Sequence, residues 1–240
     1  MTPFATGSRP FAARTLGEIA VSVPGATALF RRHQLDFCCG GTATLADAAR
    51  EKALAIEPIV AALNDLSADR TPVAPQQTGA LIDHLLDRYH ATHRRELPEL
   101  IALARKVESV HAGHPLAPAG LADALVDLSA ELETHMAKEE LVLFPMMRAG
   151  GSPMIAHPIA RMRHEHEEHG VRLRRLMAMT ADDRMPADAC RSWQALTAGV
   201  RKLVADVMDH VALENDLLFP RFAAASEAPV TGCGCAMRGA

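Results

Sequence analysis

Aromatic residues make up only 4% of this 240-residue chain, with a single Trp and a single Tyr. So few flat side chains leave little on which bases or sugars could stack. Basic residues are not in excess either: the formal net charge is -4, against the clustered positive surface that nucleic-acid binding needs. Local basic groups such as Arg161-Met-Arg-His and Arg172-Leu-Arg-Arg alternate with Glu and read as a solvated helix face. No stretch approaches the ~18 consecutive apolar residues of a membrane span. The first residues carry Pro3, Arg9, Pro10, Arg14 and Glu18 with no apolar secretory core, so no signal peptide is expected. The five cysteines (Cys38, Cys39, Cys190, Cys233 and Cys235) are an odd count, which suits thiol chemistry in the cytoplasm better than a disulfide framework. Alternating strand patterns and Gly-rich phosphate loops are missing as well. The expected class is all-α.

What is present is a repeat. His135-Met-Ala-Lys-Glu139-Glu-Leu-Val-Leu-Phe144-Pro145 returns as His210-Val-Ala-Leu-Glu214-Asn-Asp-Leu-Leu-Phe219-Pro220. In each copy a His and a Glu stand one helical turn apart, so imidazole and carboxylate share a face. A second pair repeats at nearly the same interval, His90-x-x-His93 and His166-x-x-His169. The chain from Gly79 onward therefore reads as a duplicated two-helix unit. Four long helices are expected, over about Leu81–Val110, Leu116–Arg148, Ile155–Met179 and Ala187–Ala223, with Gly and Pro in the short breaks. Short breaks make an up-down-up-down four-helix bundle. Pro98 removes one backbone donor inside the first helix and should kink it.

The remaining organisation follows composition. Residues 1–14 form an N-terminal extension, and 15–66 a small helical domain broken by Pro24 and Cys38-Cys39-Gly40-Gly41. Residues 67–78 (SADRTPVAPQQT) are linker, 79–225 the bundle, and 226–240 a small-residue, flexible tail.

A lone His on a helix is more often a surface residue than a ligand. Here both His-x-x-x-Glu pairs sit among Met, Leu, Val and Phe, where an unpaired carboxylate is costly to bury. A cation compensates both carboxylates and uses the imidazole lone pairs, which makes a dinuclear metal site the better reading. Imidazole plus carboxylate without thiolate suits iron, manganese or zinc and excludes an iron–sulfur cluster. Glu139 and Glu214 could each bridge two ions, leaving open positions for small diatomics; iron fits that arrangement better than closed tetrahedral zinc. Spacing does not choose between His90 and His93, or between His166 and His169. The helical wheel slightly favours His93 on the first helix and His166 on the third. Equivalence of the two repeats favours the first of each pair, with His93 and His169 as the alternative. Glu140, about 100° round the helix from Glu139, reads as solvated. Cys190 reads as buried or incidental, and His33, His84, His111, His114 and His157 as surface residues.

These residues resemble a known family. The bundle resembles a hemerythrin-like di-iron domain. Asp36-Phe37-Cys38-Cys39-Gly40-Gly41 is similar to the short N-terminal domain found with it in the Repair of Iron Centres family (YtfE/ScdA-like proteins). Ala28-Leu29-Phe30-Arg31, Arg88-Tyr89-His90 and Glu96-Leu97-Pro98-Glu99-Leu100 belong to the same likeness, which runs from about Thr15 to Phe222. The resemblance implies two non-haem iron ions, oxo- or hydroxo-bridged, held by His90, His135, Glu139, His166, His210 and Glu214. It implies repair of iron–sulfur clusters damaged by nitrosative or oxidative stress, with damaged iron–sulfur proteins and diatomics (NO, O2) as partners. Iron donation is the expected activity; NO reduction at the centre, or O2/NO sensing and scavenging, are the alternatives. Glu131 and Glu165 resemble family carboxylates lining access to the centre. Cys38 and Cys39 read as a redox or metal-transfer handle. Cys233 and Cys235 in the tail depart from the family pattern.

Overall fold

A computed structural model describes residues 9–23, 25–35, 37, 42–67, 75, 77–180, 185–187 and 189–226. Cys38, Cys39, Cys233 and Cys235, most of the expected linker and nearly all of the expected tail lie outside the described residues. The chain is all-α, and among the described residues the one extended pairing is an isolated bridge between Thr15 and Thr44.

That bridge sets two helices starting side by side. The Thr15 hydroxyl accepts from the Glu18 backbone N–H, and the Glu18 carboxylate accepts from the Thr15 N–H. This reciprocal cap opens α1 (Leu16–Ser22). Thr44 caps α3 (Leu45–Glu51) from one side only, its hydroxyl accepting from the Asp47 N–H. With α2 (Ala26–Arg32) and α4 (Ile56–Ser67), they enclose Phe30, Phe37, Leu45, Ile59 and Leu63, all fully buried. This small core is continuous with the core of the bundle.

Four longer helices follow. Helix α5 (78–110) continues without a break through Pro98. Helix α6 (121–148) is followed by a Gly150-Gly151 turn in which both residues take positive φ, a conformation glycine adopts without strain. Helices α7 (Ala156–Met179) and α8 (191–226) complete the set, the last ending in 3₁₀ turns. Each helix packs on its two neighbours in the ring, giving the up-down-up-down bundle. Helices α6 and α8 begin a few residues later than the sequence pattern suggested, at Leu121 and Arg191. Gly120 and Cys190 stand at the two N-caps, and Pro118 and Pro186 lie in the loops before them.

Three of the four bundle helices widen to π-helix at one place: Leu85–His90 in α5, Glu139–Leu143 in α6 and Leu213–Leu218 in α8. In the last two, the Phe144 and Phe219 N–H groups bond to the carbonyls of Glu139 and Glu214, five residues back. Pro145 and Pro220 come next. A proline donates no N–H and its ring crowds the carbonyl four residues back, so a wider preceding turn relieves both copies alike. Such turns concentrate at functional sites. They lie where two apolar clusters meet, and their own Leu85, Tyr89, Leu143, Leu213 and Leu218 belong to the second. One contains Leu97, Leu125, Leu173 and Val200; the other contains Leu81, Phe144, Ile159 and Phe219. The layer between the clusters is polar.

Candidate metal centre

That polar layer holds His90, His135, Glu139, His166, His210 and Glu214, each no more than 2% exposed. The imidazoles meet in two pairs across the bundle. His90 Nε2 lies 3.1 Å from His210 Nε2, and His135 Nε2 lies 3.0 Å from His166 Nε2. Each carboxylate spans both pairs. Glu139 turns Oε2 toward His90 (3.4 Å) and Oε1 toward His135 (3.3 Å). Glu214 turns Oε1 toward His210 (3.2 Å) and Oε2 toward His166 (3.1 Å). Two four-residue groups result, His90/Glu139/His210/Glu214 and His135/Glu139/His166/Glu214. In each group the donor atoms all lie within 4.8 Å of one another.

The chemistry of this donor set fits a pair of cations. Both oxygens of Glu139 and Oε2 of Glu214 are buried without hydrogen-bond geometry to any described residue. Facing Nε2 lone pairs repel unless a proton or a cation lies with them. Without a cation the layer can compensate only by protonation. Burial lowers the proton affinity of His135, but Glu139, Glu214 and Glu165 outweigh it and raise its pKa to about 9. Burial and the facing Glu214 push the Glu139 carboxyl up, and the His135 and His90 imidazoles pull it below its usual range. His210 goes the other way, well below an ordinary imidazole, because it is buried beside His90.

The outward-facing nitrogens are held by a further ring of residues. The imidazole N–H groups at Nδ1 point at Glu140 Oε1 from His90 (2.7 Å), at Glu165 Oε2 from His135 (2.9 Å) and at Asn215 Oδ1 from His166 (3.0 Å). Such outer partners fix the tautomer and orient the ring for a metal. Phe144 stacks on His90 with ring centres 5.7 Å apart, and Phe219 stacks on His166 at 5.9 Å, so the Phe of each Phe-Pro ending packs against a histidine of the layer.

Glu140 is a correction to the sequence reading. The turn that carries it away from Glu139 aims it at α5, where it meets His90 and Arg94. Its signal was available, because Glu140 and Asn215 each follow a shared Glu in the repeat. His93 and His169 are nearly as buried as the six, at 0% and 3%, yet fall in neither four-residue group. They lie against His210 and His135, with ring centres 5.5 Å and 4.9 Å away. Burial and the neighbouring imidazoles depress both to about 3, keeping them neutral. Glu165 is clamped by Lys138 and Arg161 (2.6 Å each) as well as His135. Glu131 sits one turn before His135, partly exposed, in an ion pair with Arg172, and has no hydrogen bond to the six among the described residues. Cys190 is exposed, its Sγ 3.2 Å from His111 Nε2, because it caps α8 from outside instead of entering the core.

Comparison with known proteins agrees with this architecture. The Hemerythrin HHE cation binding domain matches residues 81–222, and the ScdA N-terminal domain, described as a domain of unknown function, matches residues 12–67. The Iron-sulfur cluster repair protein YtfE of Escherichia coli O157:H7 is 46% identical over 210 residues, covering 86% of this chain and 94% of that protein. Its namesake in Dickeya chrysanthemi is 44% identical over 211 residues, covering 87% and 96%. Among the described residues, no helix is long and apolar enough to cross a membrane. With nearly the whole chain aligned and both domains matched in order, the chain belongs to the Repair of Iron Centres family of YtfE/ScdA-like proteins, built on a hemerythrin-type cation-binding bundle.

Proposed function

We propose that this chain holds two non-haem iron ions and gives up iron to rebuild iron–sulfur clusters lost to nitrosative or oxidative damage. One observation carries the dinuclear reading: each of two fully buried carboxylates faces both histidine pairs with a different oxygen. His90 and His210 would hold one ion, His135 and His166 the other, with Glu139 and Glu214 shared. When bound, iron supplies redox change and positions open to small diatomics. The donor set has no thiolate, which favours iron over soft metals. The repair role draws on the relatives, whose name is iron-sulfur cluster repair protein.

The protein's own part is to hold, orient and release. Outer acceptors at Glu140, Glu165 and Asn215 keep three Nδ1 protons in place, leaving Nε2 free for a cation. Apolar clusters above and below exclude water from the layer. A cleft of about 360 Å³, lined by Arg94, Phe144 and Glu140 among others, meets the centre through Glu140, the outer partner of His90, and would offer a way in and out. Cys38 and Cys39, in the small domain, would receive or pass on iron without shaping the resting centre. Glu131, near His135, would tune access.

The test is anaerobic incubation of the reduced, iron-loaded chain with NO, following N2O and chelatable iron together. Release of iron that restores an apo iron–sulfur protein is the expected result. Steady N2O production with iron retained would replace donation by NO reduction.

A further inference from the structure

The repeat that builds the centre also shows where its two halves differ. Tyr89 and Glu165 are equivalent positions, each just before the first histidine of its pair. Glu165 accepts the Nδ1 proton of His135 and is itself buried, clamped by Lys138 and Arg161. Tyr89 instead lies flat on His210, with ring centres 5.5 Å apart and planes 13° from parallel. His210 Nδ1 consequently has no hydrogen-bond partner among the described residues, alone of the four imidazoles. The remaining partner on that side, Glu140 on His90, is partly exposed, shared with Arg94, and forms a wall of the 360 Å³ cleft.

We propose that the two iron positions are unequal, and that the ion between His90 and His210 is the one given up, through the cleft beside Glu140, while the ion between His135 and His166 stays. This rests on the dinuclear reading above and goes further, by naming the exchangeable position. An acceptor on the outer nitrogen of a ligating histidine orients the ring and raises its basicity, and losing one costs about 10–100-fold in metal affinity. The His135/His166 side has two such acceptors, one of them buried and doubly clamped. Among the described residues the His90/His210 side has one, partly exposed at the exit. Tyr89 fills the place where the fourth acceptor would stand.

The experiment follows iron leaving the full-length, iron(II)-loaded chain to a colorimetric chelator under anaerobic conditions. Two phases of one equivalent each, about 10-fold or more apart, are expected. Shared carboxylates would give two phases even in a symmetric site, so the assignment rests on variants. Glu140→Gln should speed the fast phase alone, and Glu165→Gln the slow phase alone. Ala91→Trp, at an exposed position on the cleft wall, should slow the fast phase alone. The proposal is overturned by a single phase of two equivalents, by a slow phase that answers to Glu140→Gln, or by a fast phase indifferent to the filled cleft. Iron transfer to an apo iron–sulfur protein, measured separately, reports on the donor role. Two assigned phases without transfer would sink donation and leave the inequality standing.

Discussion

Glu165→Leu isolates the outer support of one histidine. In the wild-type chain Glu165 accepts from His135 Nδ1 at 2.9 Å and from Lys138 and Arg161 at 2.6 Å. The two cations are 43% and 59% exposed, so they rehydrate when the carboxylate goes, and each pair contributes at most ~1 kcal/mol. His135 is 2% exposed and cannot rehydrate. Its orphaned N–H costs about 1–3 kcal/mol, and this sets the magnitude. For a chain of this size, ~1–3 kcal/mol lowers Tm by roughly 2–12 °C. The effect carries a pH signature. Burial raises the Glu165 carboxyl, but Lys138, His135 and Arg161 outweigh it and bring its pKa down to about 2 from 4.5. A lowered carboxyl stabilises the fold above the unfolded pKa, and that stability is lost as pH falls toward the folded value. Urea unfolding of the metal-free chain and the variant should therefore differ by a constant amount from pH 7 to 5. The gap should narrow below about 4.5. Equal stability at pH 7, or a gap unchanged at pH 3, would refute the reasoning.

Other outcomes follow from the same geometry. Replacing His90 or His166 by Leu should remove iron or alter its absorption, whereas the same change at His93 or His169 should leave iron content near that of the wild type; the reverse pattern would move the centre by one turn. Metal uptake should release protons and tighten from pH 6 to 8. His135, with a pKa raised to about 9, must lose its proton to bind a cation, and proton release measured in weak buffer checks the sign. In the metal-free chain the same raised pKa stabilises the fold below pH 6.5, and that contribution fades as pH rises through about 9. Asp216 lies beneath Gly17 of α1, where a Cβ would overlap its carboxyl group. Burial, with a smaller push from Glu18, raises its pKa to about 7 against the pull of Arg163. The cost of ionising it grows as pH climbs from 3.8 to 7, so Asp216→Asn should raise Tm at pH 8 and leave it unchanged at pH 4.

The bundle was legible because duplication and helical period agree along its whole length. His135-x-x-x-Glu139 and His210-x-x-x-Glu214 point inward because their neighbours at helical spacing are Leu, Met and Val. The choice between His90 and His93 was not legible from a wheel of constant pitch. His90 closes the π-helical segment Leu85–His90, and its wider turn shifts the phase of everything before it against everything after. Both residues end up buried, so burial could not separate them either. Glu140 was misread for a related reason: a helix wheel gives direction but not what stands there, and what stands there is α5. Of the two readings of Cys190, the buried one fails because the N-cap position it holds on the last helix is open to solvent. The stacking of Tyr89 on His210 emerges only when the repeat is laid over the three-dimensional pairs.

Native mass spectrometry of the iron-loaded chain, beside Glu139→Gln and Glu214→Gln, tests the shared-carboxylate centre most directly. Each Gln keeps the shape of Glu but loses the charge that serves both histidine pairs. The wild-type chain should carry two irons, and either variant should fall to one iron or none at the same iron concentration. A wild-type chain that saturates at one ion, or two irons retained in both variants, would contradict the account.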